Sequence, residues 1–302
     1  MAKIATLLIF FFAFQASVWA KLPPLRIASY NIRNFNVSNS DKGNDSTMKS
    51  ELFRVLKSTK SDIIAVQEIV DDQGFKKFVR DYMPAYRVAL SECGGFAGQK
   101  LGFLYNAQVY DLEDFYEDSR LSVRSSNCKK GLRPAAIAHF RKKKTRLKFA
   151  AVAVHLKAGG GQRNADMRYA QYKEITKIIR ELKTDGVKHY AVMGDFNTTD
   201  YLTRNHNYDR FVEFVLQNKL IDFSEDLECT SYWWGGIDDG LMHGTVLDHV
   251  LVSESLYDSF DYSNTEIKAH CQKSSCESMS EDELGTTYKS VSDHCPVVAN
   301  MK

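Results

Sequence analysis

Residues 62–68 read DIIAVQE and residues 191–197 read AVMGDFN. Each is a short, unbroken apolar run, and each stops on polar side chains: Glu68 in the first, Asp195 and Asn197 in the second. An apolar run with no polar alternation belongs to a strand buried on both faces. Strands of that kind occur where a sheet is covered on both sides, as in α/β proteins whose strands and helices interleave.

The chain on either side keeps to this alternation. Strands are expected at Leu25–Ile32, Asp62–Gln67, Lys100–Tyr105, Ala135–Phe140, Leu147–Leu156, His189–Gly194, Val246–Val252 and Cys295–Met301. Apolar residues at helical spacing mark Met48–Lys57, Phe75–Tyr82, Asp166–Lys183 and Tyr208–Gln217. The third is the clearest, with Met167, Ala170, Ile175, Ile178, Ile179 and Leu182 along one face. The basic run Arg141–Arg146 between two strands reads as a solvated hairpin tip. No repeat, linker or low-complexity tract interrupts the pattern, so residues 21–302 read as a single domain.

Composition narrows the class further. Eighteen Phe and 15 Tyr among 302 residues offer too much apolar area for a disordered chain, and five Pro exclude a proline-rich fibrous one. Forty basic against 38 acidic residues give a net charge of +2, which excludes binding to nucleic acid through bulk charge alone. Residues 1–20 read as a secretory signal: Lys3, then apolar Ile4–Phe14, then Ser17-Val18-Trp19-Ala20 with cleavage before Lys21. The 11-residue apolar core is too short to cross a bilayer interior of about 30 Å, and its removal with Lys3 leaves a charge of +1. An exported monomer without a membrane anchor is expected, in the periplasm or the external medium. Asn36-Val37-Ser38 and Asn44-Asp45-Ser46 match the glycosylation acceptor pattern.

Export turns the reading of Cys93, Cys128, Cys229, Cys271, Cys276 and Cys295 toward disulfides, since none sits in a CxxC pair. Cys271 with Cys276 is the easiest local pair, and Cys93 with Cys128 the next. Cys295, inside an apolar strand, is open to being a free buried thiol.

The functional signal lies in how the strands end. Asn31 sits in the first strand, Glu68 ends the second, His155 follows Ala150–Val154, and Asp195 and Asn197 follow Ala191–Gly194. Asp248 follows Thr245–Leu247, and Asp293 and His294 precede the last strand. Singly each has an ordinary reading: a turn cap for Asp195, a core histidine for His155, a turn residue for Asp248. Six such endings in one chain are another matter, because strand ends in α/β proteins converge at one rim. Glu68 and Asp293 are hard oxygen donors of the kind Mg²⁺ or Ca²⁺ takes. Asn31 and Asn197 donate hydrogen bonds to an anion without charge repulsion. Two imidazoles beside carboxylates form an acid–base set, and Arg133 offers a bidentate phosphate contact. Together these describe metal-assisted hydrolysis of a phosphate ester.

The segments SYNIRNF (Ser29–Phe35), VQE (Val66–Glu68), LRPA (Leu132–Ala135), VHLKA (Val154–Ala158), MGDFN (Met193–Asn197), LDHVLVS (Leu247–Ser253) and SDHCPV (Ser292–Val297) occur in that order. In them the chain resembles the endonuclease/exonuclease/phosphatase superfamily, and within it the secreted deoxyribonuclease I-like nucleases. The resemblance implies a four-layer α/β/β/α sandwich, two mixed β-sheets packed face to face with helices outside, and a divalent-metal phosphoesterase site at one rim. It implies Glu68 as principal metal ligand, helped by Asn31 and Asp293, with Mg²⁺ (or Ca²⁺ or Mn²⁺) as cofactor. It casts His294 as general base oriented by Asp248, and His155 as general acid or phosphate ligand. Asp195 and Asn197 would position phosphate and nucleophile, with Arg133 as phosphate clamp. One position departs. In these enzymes an acidic residue just before the strand Lys100–Tyr105 supports the histidine corresponding to His155, and here that residue is Gln99. Either another carboxylate orients His155, or its role is binding more than proton transfer.

The superfamily also hosts phosphatases and sphingomyelinases, so fold and motifs leave the ester open. Export, a short chain and the basic Lys129, Lys130, Arg133 and Arg163 favour a nuclease acting on DNA, endonucleolytic and of low sequence specificity, with RNA open to it as well. Alternatives are a secreted sphingomyelinase-type phosphodiesterase and a catalytically inactive binding protein on the same scaffold. Trp233-Trp234 bears on this choice, since an aromatic pair suits a core, a lipid-inserting tip or a base-stacking platform.

Overall fold

The computed structural model describes residues 22–37, 47–123, 125 and 127–302. The expected signal segment and the Asn44 sequon lie outside the described residues, and Asn36 is buried. In chain order the strands are β1 (Leu25–Phe35), β2 (Ile63–Ile69), β3 (Tyr86–Leu90), β4 (Lys100–Asn106), β5 (Tyr110–Asp118), β6 (Ala135–Lys142) and β7 (Lys148–His155). They continue as β8 (Tyr190–Asp195), β9 (Leu220–Asp222), β10 (Ser231–Trp233), β11 (His243–Thr245), β12 (Asp248–Ser253), β13 (Ser263–Ile267) and β14 (Val297–Met301). The helices are α1 (Lys49–Thr59), α2 (Asp72–Tyr82), α3 (Gln162–Thr184), α4 (His206–Gln217), α5 (Glu254–Tyr257), α6 (Ala269–Ser274) and α7 (Glu281–Ser290).

Two six-stranded mixed sheets form, in the orders β13-β14-β1-β2-β4-β3 and β5-β6-β7-β8-β12-β9. The doubly buried runs explain how they stack. In β2, Ile63 and Ala65 enter the core between the sheets, while Ile64 and Val66 face α1 and α2. In β8, Ala191 and Met193 enter the same central core, while Tyr190 and Val192 meet α3 and α4. Each strand therefore serves two cores with alternate residues, and the layers are helix, sheet, sheet, helix. The central layer sets alanines (Ala65, Ala136, Ala138, Ala151, Ala153, Ala191) against Phe103, Phe140 and Phe149, so large and small side chains interdigitate.

Topology brings the functional ends to one rim. β1 runs parallel to β2, and β7 parallel to β8, so Asn31, Glu68, His155 and Asp195 sit at outgoing ends. β12 and β14 run antiparallel to β8 and β1, so their incoming ends, Asp248 and the Asp293-His294 approach, lie at the same rim. At this rim Gly194 is required by close approach. Its φ is +154° and a Cβ there would stand 1.9 Å from the Val154 carbonyl oxygen.

Strands and helices expected from sequence are all present, with ends shifted by a few residues. The expectation missed β3, β5, β9, β10, β11, β13, α5, α6 and α7. β5 and β13 are partly exposed, and β5 carries Asp111, Glu113, Asp114, Glu117 and Asp118, which hides any apolar period. Arg141–Arg146 does turn at a hairpin tip, with Lys142 N–H donating to the Leu147 carbonyl.

Cys93–Cys128 forms as expected, but Cys271 does not join Cys276. The bonds are Cys229–Cys276 and Cys271–Cys295, and Cys295 is not a free thiol. The reason is tertiary: β10 and β14 bring Cys229 and Cys295 to the α6 region, where both outcompete the short local loop. Among the described residues no helix is long and apolar enough to cross a membrane.

Gly194→Ala is predicted to destabilise the fold by about 2 kcal/mol or more, lowering Tm by about 5 °C or more by calorimetry. An unchanged Tm would contradict the close approach.

Candidate active site

The two sheets meet through Asn31. Its amide NH₂ donates to Glu68 Oε1 at 3.1 Å and to Asp195 Oδ2 at 3.0 Å, one carboxylate from each sheet. Its Oδ1 accepts the Arg33 N–H at 3.0 Å, so the amide faces the carboxylates with hydrogen, not oxygen. The backbone bends to allow this. Register between β1 and β2 shifts after Asn31, and Arg33, Asn34 and Glu68 all have φ between 40° and 62°. Left-handed residues other than glycine each cost about 1 kcal/mol or more and collect where surrounding structure over-determines them. The twist lets the Asn34 N–H donate to Glu68 Oε2 at 3.0 Å, holding both carboxylate oxygens.

His294 Nδ1–H donates to Asp248 Oδ2 at 2.7 Å, leaving Nε2 3.5 Å from the Asn31 amide and 3.8 Å from Asp195 Oδ2. Asp248 is fixed by Thr230, whose hydroxyl donates to the same carboxylate oxygen at 3.0 Å and accepts the Leu247 and Asp248 N–H groups. Ser292 accepts the His294 N–H and donates to the Asn31 carbonyl, tying the β14 approach to β1. Neither Thr230 nor Ser292 was singled out for a role in the sequence, where a hydroxyl bonded to backbone leaves no charge signature.

His155 Nε2 stands 3.4 Å from Asp195 Oδ2 and 3.6 Å from Glu68 Oε1. Its Nδ1 is buried with no hydrogen-bond partner among the described residues. Gln99 does not fill the supporting role: its NH₂ donates to Asn34 Oδ1 and its carbonyl oxygen accepts from Arg133. Arg133 is buried, with Nε and Nη2 on the carbonyls of His155 and Leu156, so its remaining N–H groups and charge are what a phosphate would meet. Asn197, at φ 52°, donates its backbone N–H to Asp195 Oδ1 and its amide to the Leu156 carbonyl. Arg168, unremarked in the sequence, is a buried tether. It donates to the carbonyls of Lys157 and Gly159 and to Thr199, joining the loops after β7 and β8. Trp233 and Trp234 are not core: they are 44% and 55% exposed.

Electrostatics follow from crowding in little water. Burial, with the carboxylates of Asp248 and Glu68, pushes Asp195 up to about 7 against the pull of His294. Burial likewise raises Glu68. His155 is held well below the usual imidazole range by burial and by the charge of Arg133. Burial also opposes protonation of His294, but its bonded partner Asp248, with Asp195 and Asp293, outweighs it and lifts the imidazole well above its ordinary range.

A divalent cation fits this set. Glu68, His155 and Asp195 offer ligand atoms within 4.8 Å of one another, and buried Asp293 Oδ1 and Asp248 Oδ1 have no partner among the described residues. Hard oxygen donors in excess of hydrogen-bond donors are what such an ion satisfies. The grouping of His270 with Cys271 and Cys295 is no rival site, because both cysteines are bonded in one disulfide.

A two-sheet sandwich with acidic and imidazole groups at one rim defines a phosphoester hydrolase scaffold. The chain belongs to the Endonuclease/Exonuclease/phosphatase family, whose sequence model matches residues 28–294. Members hydrolyse phosphoester bonds and are generally dependent on divalent metals. An endonuclease/exonuclease/phosphatase family protein of Bacteroides thetaiotaomicron is similar over 92% of this chain and 98% of its own, at 20% identity and TM-score 0.64. A mannosyl-6-phosphatase of the same species aligns over 91% and 98%, at 20% identity and TM-score 0.59. The human Nocturnin catalytic domain, solved with a bound sulfate anion, aligns over 94% and 96%, at 14% identity and TM-score 0.61. No curated protein matches the chain by sequence.

If His294 accepts a proton in the rate-limiting step it must be neutral, so kcat/KM falls as pH drops through its raised pKa. Asp248→Asn removes the carboxylate that does most to raise that pKa. The acidic limb of kcat/KM for methyl p-nitrophenyl phosphate is therefore expected to move to lower pH, with a reduced plateau. A limb that stays in place would belong to another group.

Proposed function

We propose that this chain is an exported, divalent-metal-dependent nuclease that cleaves DNA internally with little sequence specificity, RNA being open to it as well. The observation that carries the hydrolytic reading is the Asp248–His294 hydrogen bond at 2.7 Å, with the free Nε2 facing Asp195 and Asn31. Asp248 accepts from Nδ1 and so fixes the tautomer whose Nε2 takes a proton from water. Asn197 and the residual N–H groups of Arg133 hold the phosphate oxygens. His155 stays neutral at pH 7 and, with no carboxylate on Nδ1, serves as a hydrogen-bonding contact to phosphate more than as an acid. Asp195 orients the attacking water.

Glu68 and Asp293 would hold the cation, Mg²⁺ in the first instance, with Ca²⁺ and Mn²⁺ as alternatives. Asn31 joins them only if its amide turns, since its oxygen is engaged with Arg33. When bound, the ion neutralises phosphate charge and stabilises the charge that builds up during displacement.

Support for a polynucleotide comes from the surroundings of the rim. Lys129 and Lys130 are exposed on the segment anchored by Cys93–Cys128 that leads into Arg133, and Arg163 is exposed after the loop of Gly159, Gly160 and Gly161. Three disulfides are compatible with export. A chain that binds phosphates through such local positive charge weakens steeply with salt.

The test is turnover of plasmid DNA, sphingomyelin vesicles and mannose 6-phosphate by the protein with Mg²⁺ and with EDTA. Nicked plasmid that EDTA abolishes is the expected result. Turnover of lipid or sugar phosphate alone would overturn the nuclease reading, and no turnover would favour a binding protein. His294→Ala is expected to cost about 10²-fold or more in plasmid cleavage, while near-normal activity would reject it as the base.

A further inference from the structure

β10 and β11 form a separate two-stranded ribbon beside the site. Its base is joined to the catalytic approach by the backbone: Ser231 pairs with His294, and the Tyr232 N–H donates to the Asp293 carbonyl at 2.9 Å. Tyr232 points into a core with Leu284, Tyr288 and the disulfide sulfurs, which fixes the ribbon. Trp233 shares the opposite strand face with Ser231 and lies about 7 Å along the strand from it. Trp234 follows, its ring 6.3 Å from that of Trp233 at an interplanar angle of 78°. Two exposed indoles at nearly a right angle thus stand next to the residues that flank His294. Burying neither ring leaves apolar area in water that nothing within the described chain covers.

We propose that Trp233 and Trp234 form a stacking platform for an unpaired nucleobase flanking the scissile phosphate, so that the enzyme prefers single-stranded to fully paired DNA. This rests on the nuclease reading above. An indole face stacks on any base, which suits cleavage without sequence specificity. Bases inside a duplex are already stacked and paired, so only a splayed-out base can reach rings on a ribbon whose base is bonded to Asp293 and His294. The tip also argues against an anionic bilayer. Asp238 and Asp239 follow Ile237 directly, which disfavours an anionic headgroup surface and leaves contact with a phosphate backbone to the basic loops elsewhere on the rim. Asp239 is turned back onto the ribbon, accepting the Leu241 N–H and pairing with His243, so its charge is partly answered within the tip. On the other loops of the rim, Lys129, Lys130 and Arg163 supply the positive charge that tracks a phosphate backbone, and the indoles supply the uncharged face that a base requires.

The experiment compares wild type with Trp233→Ala/Trp234→Ala and Trp233→Phe/Trp234→Phe on three substrates. These are a single-stranded oligonucleotide, the same sequence as a duplex, and methyl p-nitrophenyl phosphate, which carries no base. The double alanine variant is expected to raise KM for the single strand about tenfold or more beyond any change on the small diester. The duplex should be affected far less, and the phenylalanine variant should recover most of the loss. Equal losses on all three substrates would mean a structural role and overturn the proposal, as would an unchanged KM for the single strand. Loss of binding to sphingomyelin vesicles with strand cleavage intact would assign the platform to lipid and also overturn it. A wild type active on the small diester but on neither polynucleotide would remove the nuclease reading itself. Strand cleavage that is insensitive to the tryptophans removes only this inference.

Discussion

At the functional rim, one amide bridges the two sheets. The Asn31 NH₂ spans from the β2 carboxylate Glu68 to the β8 carboxylate Asp195, and it has only two hydrogens to give. Around it, Glu68, Asp195, Asp248 and Asp293 are gathered with two imidazoles where water is scarce. Burial first, and then the neighbouring carboxylates, push Asp195 and Glu68 toward protonation. The fold holds them because both sheets are packed on two faces and cannot relax outward. That rigidity is what a cation site needs: ligands that remain close despite repelling each other in its absence.

Much of the architecture follows from local sequence. Runs such as DIIAVQE and AVMG have no polar alternation, and the structure uses alternate residues of each for two different cores. Their polar ends point to a rim because parallel strands leave a sheet on the same side. Seven motifs in family order then allow the sandwich to be named before any coordinates. What stayed hidden was decided by tertiary contacts. β5 is an acidic strand whose partner β6 supplies Arg141 to pair with Asp111 and Glu113, a compensation no window of sequence contains. The disulfides followed the packing of β10, α6 and β14 and not chain proximity. Trp233-Trp234 gave no clue to its exposure, since a tryptophan pair in a short strand is as suitable for a core as for a surface.

Within the site, charged and imidazole residues were legible by type, whereas the residues that aim them were not. Thr230 holds Asp248 with one hydroxyl through three hydrogen bonds, and Ser292 links His294 to β1. Each is a small polar residue indistinguishable from a loop serine or threonine. The C-terminal disulfides reinforce the same pair of positions, because Cys229 adjoins Thr230 and Cys295 adjoins His294. These bonds keep His294 and the orienting carboxylate of Asp248 in register without relying on a metal. His155 shows the reverse case: its motif was plain, but its unpartnered Nδ1 and the neutral Gln99 show a departure that the motif alone could only raise as a question.

The central claim is that these repelling carboxylates form a cation site anchored on Glu68. Thermal unfolding measured against Mg²⁺ concentration tests it without relying on any substrate. A ligand bound only by the folded state raises stability by RT ln(1 + [L]/Kd), about 2.7 kcal/mol at a hundredfold excess over Kd. A saturable rise in Tm with Mg²⁺ is expected for the wild type and no such rise for Glu68→Gln. A wild-type Tm indifferent to Mg²⁺, Ca²⁺ and Mn²⁺, or a rise that Glu68→Gln leaves intact, would contradict the claim.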